Sequence, residues 1–449
     1  MVRHTLALVL LWAAPAGAAA QIPGLQEWSE AIAMGMNQRW EGPRVPEPPP
    51  SPRPDLPVAA RSWRLPVAVH AGPEVEPERI ERALEALEAA AVTLEDGGWG
   101  APLPDGGRGG TGGFDLYLAR GGDHAASAGA DAPVAWSFLD AMSSFATVDP
   151  EVDDGALAAC VADAYAQALL VGIDPAEADA WRRATAAWLA WQATGRWGCE
   201  EDVVTQQREP WRSWISGAAG GGAGGALLLA MLSARHDRGT GTFVRDVWQL
   251  ARQRTWDGDE LRASPDLWEA LEVAVSVAGD DLVESIEDFA VARWFGGAAE
   301  RESAAPIPIV RALPAGAVVP PHAEIAWDEL PEHTREADPP LEPFGSAYMR
   351  IDTSEAPDGT VLRIWLRGEY GVRWSLVAVR LGANGRELTR LSAPAREEPR
   401  SYLVLELMDD TEEVLIAVTN LSSRRPDADE PDENVRSFKL IASENAAEE

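Results

Sequence analysis

The chain has 449 residues, enough for two or three domains, and 46% of them are hydrophobic. Its formal net charge is −34 at pH 7, and Lys439 is its single lysine, so arginine supplies nearly all of the positive charge. A chain this acidic repels nucleic acid and anionic membrane surfaces, and we therefore exclude nucleic acid as a partner.

The first twenty residues have the pattern of a secretory signal peptide. Arg3 gives a basic start, Leu6 to Ala14 form an apolar run, and Ala18 to Ala20 form a small-residue cleavage site. We therefore expect an exported protein, located in the periplasm, on the cell surface or in the medium. Residues 21–57 predict a short helix near Leu25 to Trp40, followed by a proline-rich extended linker.

Residues 58–300 alternate between strand and helix patterns and then become helical. Strands are predicted over 63–72, 114–118 and 143–148, and helices over 77–96, 155–171, 177–194, 242–252, 266–278 and from 282 onward. A small sheet followed by a bundle of helices is an α+β pattern. Trp181, Trp188, Trp191 and Trp197 are expected to fill the core.

The segment from Trp214 to Ala234 carries no charge over its whole length. A buried helix and a membrane span both fit it, and its glycines favour the buried helix. It also contains G-x-G-x-x-G at Gly220, Gly222 and Gly225. Because no buried strand precedes these glycines and helices follow them, the pattern does not predict a dinucleotide site.

The C-terminal part changes to a period of two. Residues 301–340 are interpreted as a linker, with one strand considered at 315–319. An antiparallel β-sandwich is predicted over 341–443, followed by a tail at 444–449. Its strands are expected at 346–352, 360–368, 372–381, 386–392, 401–408, 413–420 and 435–441. Asp427, Asp429 and Asp432 lie in an acidic loop, for which solvation and weak calcium binding are both open.

Cys160 and Cys199 are the only cysteines in the chain. In an exported protein two cysteines favour one disulfide, with two free thiols as the alternative. Two thiols without a nearby histidine do not suffice for a sulfur-ligated zinc site.

A resemblance to a known family rests on short matches between residues 143 and 248. They are SSFATVDPEVDDGA at 143–156, Trp181, RATAAW at 183–188, a glycine-rich stretch at 217–228, and TFVRDVW at 242–248. With these elements in this order, the chain resembles a family of secreted bacterial zinc metallopeptidases that carry H-E-x-x-H, are gluzincin-like and end in a β-sandwich. The resemblance implies a metallopeptidase-like domain over 58–300.

The resemblance also implies that the zinc site has been lost. The H-E-x-x-H positions fall on 162–166, with Ala162 and Ala166 in place of the histidines and Asp163 in place of the glutamate. The third ligand position falls on Arg183, whose cation would repel a metal ion. We therefore predict no catalytic and no metal-ligating residue, and no cofactor. Asp163 is expected either to face solvent or to pair with Arg183 as a substitute for the metal.

The resulting hypothesis is a degenerate metallopeptidase that binds a peptide, glycan or protein partner without catalysis. One alternative is an active hydrolase with non-standard ligands, in which His70 or His236 joins acids from the set Asp163, Glu177, Asp179, Glu200 and Glu201. A second alternative is a membrane-associated envelope protein held by 214–234.

Overall fold

The computed structural model describes residues 50–120, 123–133, 139–199, 201–215, 223–257, 260–297, 313–314, 316–330, 333–357, 359–396, 399–422 and 435–445. The predicted signal peptide, the helix at 25–40 and the acidic loop with Asp427, Asp429 and Asp432 lie outside these residues. The described part has a mixed α+β fold, as predicted.

A five-stranded mixed sheet opens the fold. Its strands are β1 (Val58–Arg61), β2 (Val67–Ala71), β3 (Phe114–Leu118), β4 (Ala126–Pro133) and β5 (Met142–Val148), in the order β1-β2-β3-β5-β4. The three central strands are parallel, and the two edge strands are antiparallel to their neighbours. Alternation sends Val69 and Leu116 toward the helices, while His70, Asp115 and Tyr117 lie on the opposite face.

Eight helices complete the α+β domain within the described residues. They are α1 (Pro77–Asp96), α2 (Leu157–Val171), α3 (Asp179–Thr194), α4 (Asp202–Arg208), α5 (Ala226–His236), α6 (Thr242–Ala251), α7 (Leu267–Val277) and α8 (Leu282–Trp294). Every residue of α2 except Ala158 is at least partly shielded, and nearly all are fully buried. A helix that is apolar all round belongs at the centre of a core, and α2 packs between the sheet and α3. A short hairpin that the sequence reading missed, β6 (Arg254–Asp257) and β7 (Glu260–Ala263), lies between α6 and α7.

Part of the uncharged segment 214–234 forms the predicted buried helix, and residues 216–222, with Gly220 and Gly222, lie outside the described residues. Trp214 and Ile215 are buried but irregular, and the helix α5 begins only at Ala226. Its residues Ala226 to Ser233 are buried in the domain core. Within the ranges that the structure describes, no helix is long and apolar enough to cross a membrane.

The predicted tryptophan core is present. Trp181 and Trp188 are buried, with Trp181 packed against Trp214 at 6.0 Å between ring centroids. Trp191 is partly buried and stacks on Trp197 at 5.0 Å. These rings fill space between helices, which is the structural role that the sequence indicated.

The C-terminal part is a β-sandwich of two sheets. The strands are β8 (Ala323–Ile325), β9 (His333–Glu336), β10 (Ser346–Asp352), β11 (Val361–Gly368), β12 (Trp374–Gly382), β13 (Arg386–Arg396), β14 (Arg400–Glu406), β15 (Glu413–Asn420) and β16 (Phe438–Asn445). One sheet has the order β13-β12-β15-β10-β8 and the other β14-β11-β16-β9. All seven strands predicted beyond residue 341 are found, within a few residues at each end.

The predicted linker 301–340 needs correction. It supplies β8 and β9, one to each sheet, while the strand considered at 315–319 is irregular over 316–319. Strands of three and four residues are too short to show a period, which is why the composition concealed them. Because β8 runs parallel to β10, the sandwich is not wholly antiparallel.

The sandwich shares an apolar contact with the α+β domain. Val291 and Trp294 of α8, with Phe295 just after it, pack on the outer face of the five-stranded sheet of the sandwich, against Tyr348 and its neighbours. The Tyr348 hydroxyl donates a hydrogen bond of 2.6 Å to the carbonyl oxygen of Ala290. One outer face of the sandwich is therefore covered by α8, whereas the outer face of the four-stranded sheet is at the surface.

Candidate functional site

The helix pair that carries the predicted ligand positions is joined by a disulfide. Cys160 on α2 bonds to Cys199, which follows α3, as the sequence predicted. In the chain-entropy model, closing a loop with a sequence separation of 39 stabilises the fold by about 4 kcal/mol.

The three predicted positions on α2 lie in the interior. Ala162 and Ala166 are buried in the apolar cluster between the sheet and α3. Asp163 is 8% exposed, so the expectation of a solvent-facing acid is wrong. Its Oδ2 accepts a hydrogen bond from the backbone N–H of Cys199 at 2.9 Å, and its Oδ1 accepts one from Gln167 at 3.0 Å. The carboxylate therefore holds the segment after α3 against α2, beside the disulfide.

Arg183 holds a different pair of elements together. Its Nη2 lies 2.6 Å from Oδ2 of Asp202, with both side chains largely buried. Asp202 is the first residue of α4, where a negative charge also favours the helix dipole. The described contacts thus form two ties, with Arg183 joining α3 to α4 and Asp163 joining α2 to the Cys199 segment.

The acids of the hydrolase alternative are scattered. Glu177 is buried and accepts hydrogen bonds from the backbone N–H groups of Ala178 and of Leu267, the first residue of α7. Asp179 is half-exposed and pairs with Arg182 at 2.9 Å. Glu177 therefore acts as a cap for α7 rather than facing Asp163.

The remaining acids of that set lie elsewhere. Glu201 is exposed before α4, and Glu200 lies outside the described residues. Among the residues that the structure describes, no group of three His, Cys, Asp or Glu side chains could hold a metal ion.

A buried pair of carboxyl groups sits in the loop between α2 and α3. Burial, reinforced by the nearby charge of Asp140, raises the pKa of Asp174 to about 7. Burial, reinforced by Asp174, raises the pKa of Glu177 well above its ordinary value. The two groups repel each other in a dry environment, so they hold a proton at pH values where exposed acids are ionised.

The two histidines of that alternative each contact one acid. Nε2 of His70 lies 3.0 Å from Oδ1 of Asp115, and Nε2 of His236 lies 3.6 Å from Oδ2 of Asp280. His236 is the last residue of α5, close to the predicted helix-end position. Burial lowers the pKa of His236, although the negative charge of Asp280 acts to raise it.

His70 belongs to a cluster that the sequence reading missed. The segment 50–57, predicted as linker, crosses the outer face of the first sheet and inserts Arg53 among three buried carboxylates. The guanidinium contacts Asp131 through two nitrogens at 3.2 and 2.7 Å, Asp115 at 2.8 Å and Asp105 at 2.6 Å. Hydrogen bonds from His70, Thr111 and Arg53 outweigh burial and lower the pKa of Asp115. The cluster fastens the segment to the sheet.

The open face of the four-stranded sheet carries a different arrangement. Its outward side chains form rows across β14, β11 and β16, because the register pairs Tyr402 with Trp365 and Trp365 with Ile441. Two residues further along β11, Arg367 is paired with Arg400 on one side and with Lys439 on the other. An apolar row of Tyr402, Trp365 and Ile441 thus runs beside a cationic row of Arg400, Arg367 and Lys439.

The two rows border a cavity of about 760 Å³. Trp365, Tyr402 and Ile441 of the apolar row line it, together with Arg367 and Arg400. The Trp365 and Tyr402 rings lie 5.2 Å apart at an angle of 35°, and Tyr402 is 45% exposed. In the described part of the chain, this open concavity combines apolar rings with cations, the composition expected of a binding site.

Comparisons with known proteins do not assign the chain to a family. No family model matches, and no curated protein matches. Among solved structures, the pre-peptidase C-terminal domain of a collagenase from Bacillus anthracis is 11% identical, with 27% of this chain and 96% of that domain covered and a TM-score of 0.19. The Yersinia pseudotuberculosis-derived mitogen is 17% identical, with 27% of this chain and 92% of that chain covered, also at a TM-score of 0.19. At these TM-scores the likenesses carry no argument about ligand or activity.

Proposed function

We propose that the protein is an exported, non-catalytic relative of zinc metallopeptidases that acts by binding a partner molecule. Export is supported by the signal-peptide pattern at residues 1–20 and by the disulfide between Cys160 and Cys199. The α+β domain serves in this proposal as a scaffold, and the sandwich provides the binding surface.

The contacts at the predicted ligand positions support a scaffold role. Ala162 and Ala166 offer only methyl groups, and both oxygens of Asp163 are engaged in hydrogen bonds that hold neighbouring segments. Arg183 occupies the third ligand position with a cation paired to Asp202. A zinc site of this family type needs imidazole and carboxylate donors at these positions.

The binding role is carried by a single observation, the cavity on the open sheet face that the apolar row lines together with Arg367 and Arg400 of the cationic row. Exposed aromatic side chains in a concave, partly cationic site are the usual means of recognising a ligand. α8 packs on the opposite face of the sandwich, whereas Arg367, Arg400 and Tyr402 on this face are exposed and accessible to a partner.

Two measurements on the purified full-length protein test the proposal. Elemental analysis after dialysis against zinc is expected to give clearly less than one zinc per chain, and casein is expected to remain uncleaved. Stoichiometric zinc, lost with casein hydrolysis on chelation, would overturn the non-catalytic assignment.

A mixed glycan and peptide array tests the binding role. The wild-type protein is expected to be retained on a ligand class that Trp365→Ala loses. Trp63→Ala is the matched control, because Trp63 is 90% exposed on the α+β domain and lies away from the sandwich rows. Equal retention of wild type and Trp365→Ala on every ligand would refute the assignment of this face.

A further inference from the structure

We infer that the open sheet face binds an acidic polysaccharide, a linear chain of sugar rings that carry carboxylate or sulfate groups. The inference rests on the proposed binding function and specifies its ligand. Its basis is the juxtaposition of the cationic row with the apolar row across three adjacent strands.

The cationic row places three positive charges in register. Arg400, Arg367 and Lys439 stand directly opposite one another on neighbouring strands, which are about 4.8 Å apart. Like charges in directly opposed positions destabilise a sheet, so an anion that contacts both Arg367 and Arg400 relieves their mutual repulsion. On the side of β16 away from β11, the backbone register pairs Lys439 with Glu336 of β9.

Two of these cations are available to a ligand. The side chains of Arg367 and Arg400 are exposed, and no carboxylate of the described residues forms an ion pair with either one. Other arginines of the described part do have an acidic partner, as Arg350 has in Glu413 and Arg390 in Glu387. A guanidinium binds carboxylate and sulfate oxygens with two parallel hydrogen bonds.

The apolar row supplies the second half of the recognition. The flat C–H faces of sugar rings are apolar and pack on aromatic side chains, and Trp365 with Tyr402 presents two such rings side by side. Arg367 lies two residues beyond Trp365 on the same face, about 6.7 Å along the strand. A sugar ring resting on Trp365 therefore directs a ring substituent toward the guanidinium groups.

The shape of the site favours a polysaccharide over other polyanions. Duplex DNA carries one charge per about 1.7 Å, whereas a uronic acid chain spaces its carboxylates a sugar ring apart, so the net charge of −34 opposes DNA more strongly than this ligand. A stable protein partner would use roughly 20–30 residues on each side. The two rows offer three residues each, which suits successive units of an extended chain that crosses the strands.

Affinity electrophoresis of the full-length protein tests the inference. The gels contain polygalacturonate, its fully methyl-esterified form, dextran sulfate, dextran or polyglutamate. The wild-type protein is expected to be retarded by an acidic polysaccharide at least tenfold more strongly than by its neutral counterpart, and retardation is expected to fall with added salt. Arg367→Gln combined with Arg400→Gln is expected to weaken retardation about tenfold or more, since each lost charged hydrogen bond contributes to affinity.

A matched control distinguishes binding at the open sheet face from a general effect of the protein's charge. The control variant combines Arg64→Gln with Trp63→Ala. It removes an exposed arginine–tryptophan pair on the α+β domain, in which the guanidinium lies 5.9 Å from the ring centroid. This variant should be retarded as strongly as the wild-type protein. Equal retardation of wild type and the Arg367/Arg400 variant would overturn the inference. Equal retardation by polyglutamate and polygalacturonate would also overturn it, because charge alone would then suffice.

The outcomes distinguish the inference from the proposed function. Retardation by neutral glycans that depends on Trp365 but not on Arg367 would leave the binding function standing and refute the acidic ligand. Absence of retardation in every gel, together with absence of any Trp365-dependent ligand on the array, would refute both.

Discussion

Replacing Arg53 by methionine tests the anchoring cluster on the first sheet. The substitution keeps much of the side-chain volume but removes a guanidinium that contacts Asp105, Asp115 and Asp131. Three carboxylates with side chains at most 7% exposed are then left without their shared cation. Desolvated charges without a partner are among the most destabilising defects in proteins.

The magnitude follows from the burial of the cluster. Removing one partner of a buried ion pair typically costs about 3–5 kcal/mol, and here the guanidinium serves three carboxylates while being itself 13% exposed. We therefore expect Arg53→Met to lower the free energy of unfolding by about 3–5 kcal/mol. The free energy of unfolding of Arg53→Lys should lie between those of wild type and Arg53→Met, because a single ammonium cannot reproduce the two-nitrogen contact with Asp131.

Urea unfolding measures the effect, and proteolysis localises it. Cleavage within residues 50–57 should become much faster in Arg53→Met than in wild type. Arg61→Gln is the control, because Arg61 is exposed and donates one hydrogen bond to the carbonyl oxygen of Gly110, so its loss should change stability by less than about 0.5 kcal/mol. A loss in Arg53→Met no larger than that of the control would show that the cluster does not hold the segment.

Three further predictions concern the α2–α3 region. Since the pKa of Asp174 is raised to about 7, its ionisation favours unfolding as pH rises from its ordinary value toward 7. The free energy of unfolding of Asp174→Asn, measured relative to wild type by urea titration, should therefore be up to about 4 kcal/mol more favourable at about pH 8 than at about pH 4. A difference between variant and wild type that does not change with pH would contradict this. The double variant Cys160→Ala/Cys199→Ala should lose about 4 kcal/mol, and a reductant should lower the wild type to a similar urea midpoint; an unchanged midpoint would exclude a stabilising disulfide. Asp163→Ala leaves the backbone N–H of Cys199 without this acceptor and should cost about 1–3 kcal/mol in thermal unfolding, whereas a neutral result would mean that the carboxylate has no structural role.

The sandwich and the central helix were predictable because their patterns are strong. The alternation in β11, where Leu362, Ile364 and Leu366 point inward, sets both the strand and its register. The apolar composition of α2 identified it as a core helix, and the presence of only two cysteines left one possible intramolecular disulfide. These features are local in sequence or leave no alternative pairing.

The features that escaped prediction depend on long-range contacts. Arg53 lies among prolines, and nothing nearby indicates that it meets Asp115 and Asp131, which are 62 and 78 residues away. The contact of Arg183 with Asp202 likewise joins two helices and has no local signal in the sequence. Cross-strand rows such as Trp365 with Tyr402 become visible only when two strands are paired in register.

The apolar contact between α8 and the five-stranded sheet has a thermodynamic consequence for the molecule. Separating the α+β domain from the sandwich would expose Tyr348, Val377 and Val379 to water. All three side chains are now buried, so the separation would leave an exposed apolar surface on the sandwich. The two parts are therefore expected to melt together in one calorimetric transition, and a sandwich excised by itself is expected to aggregate.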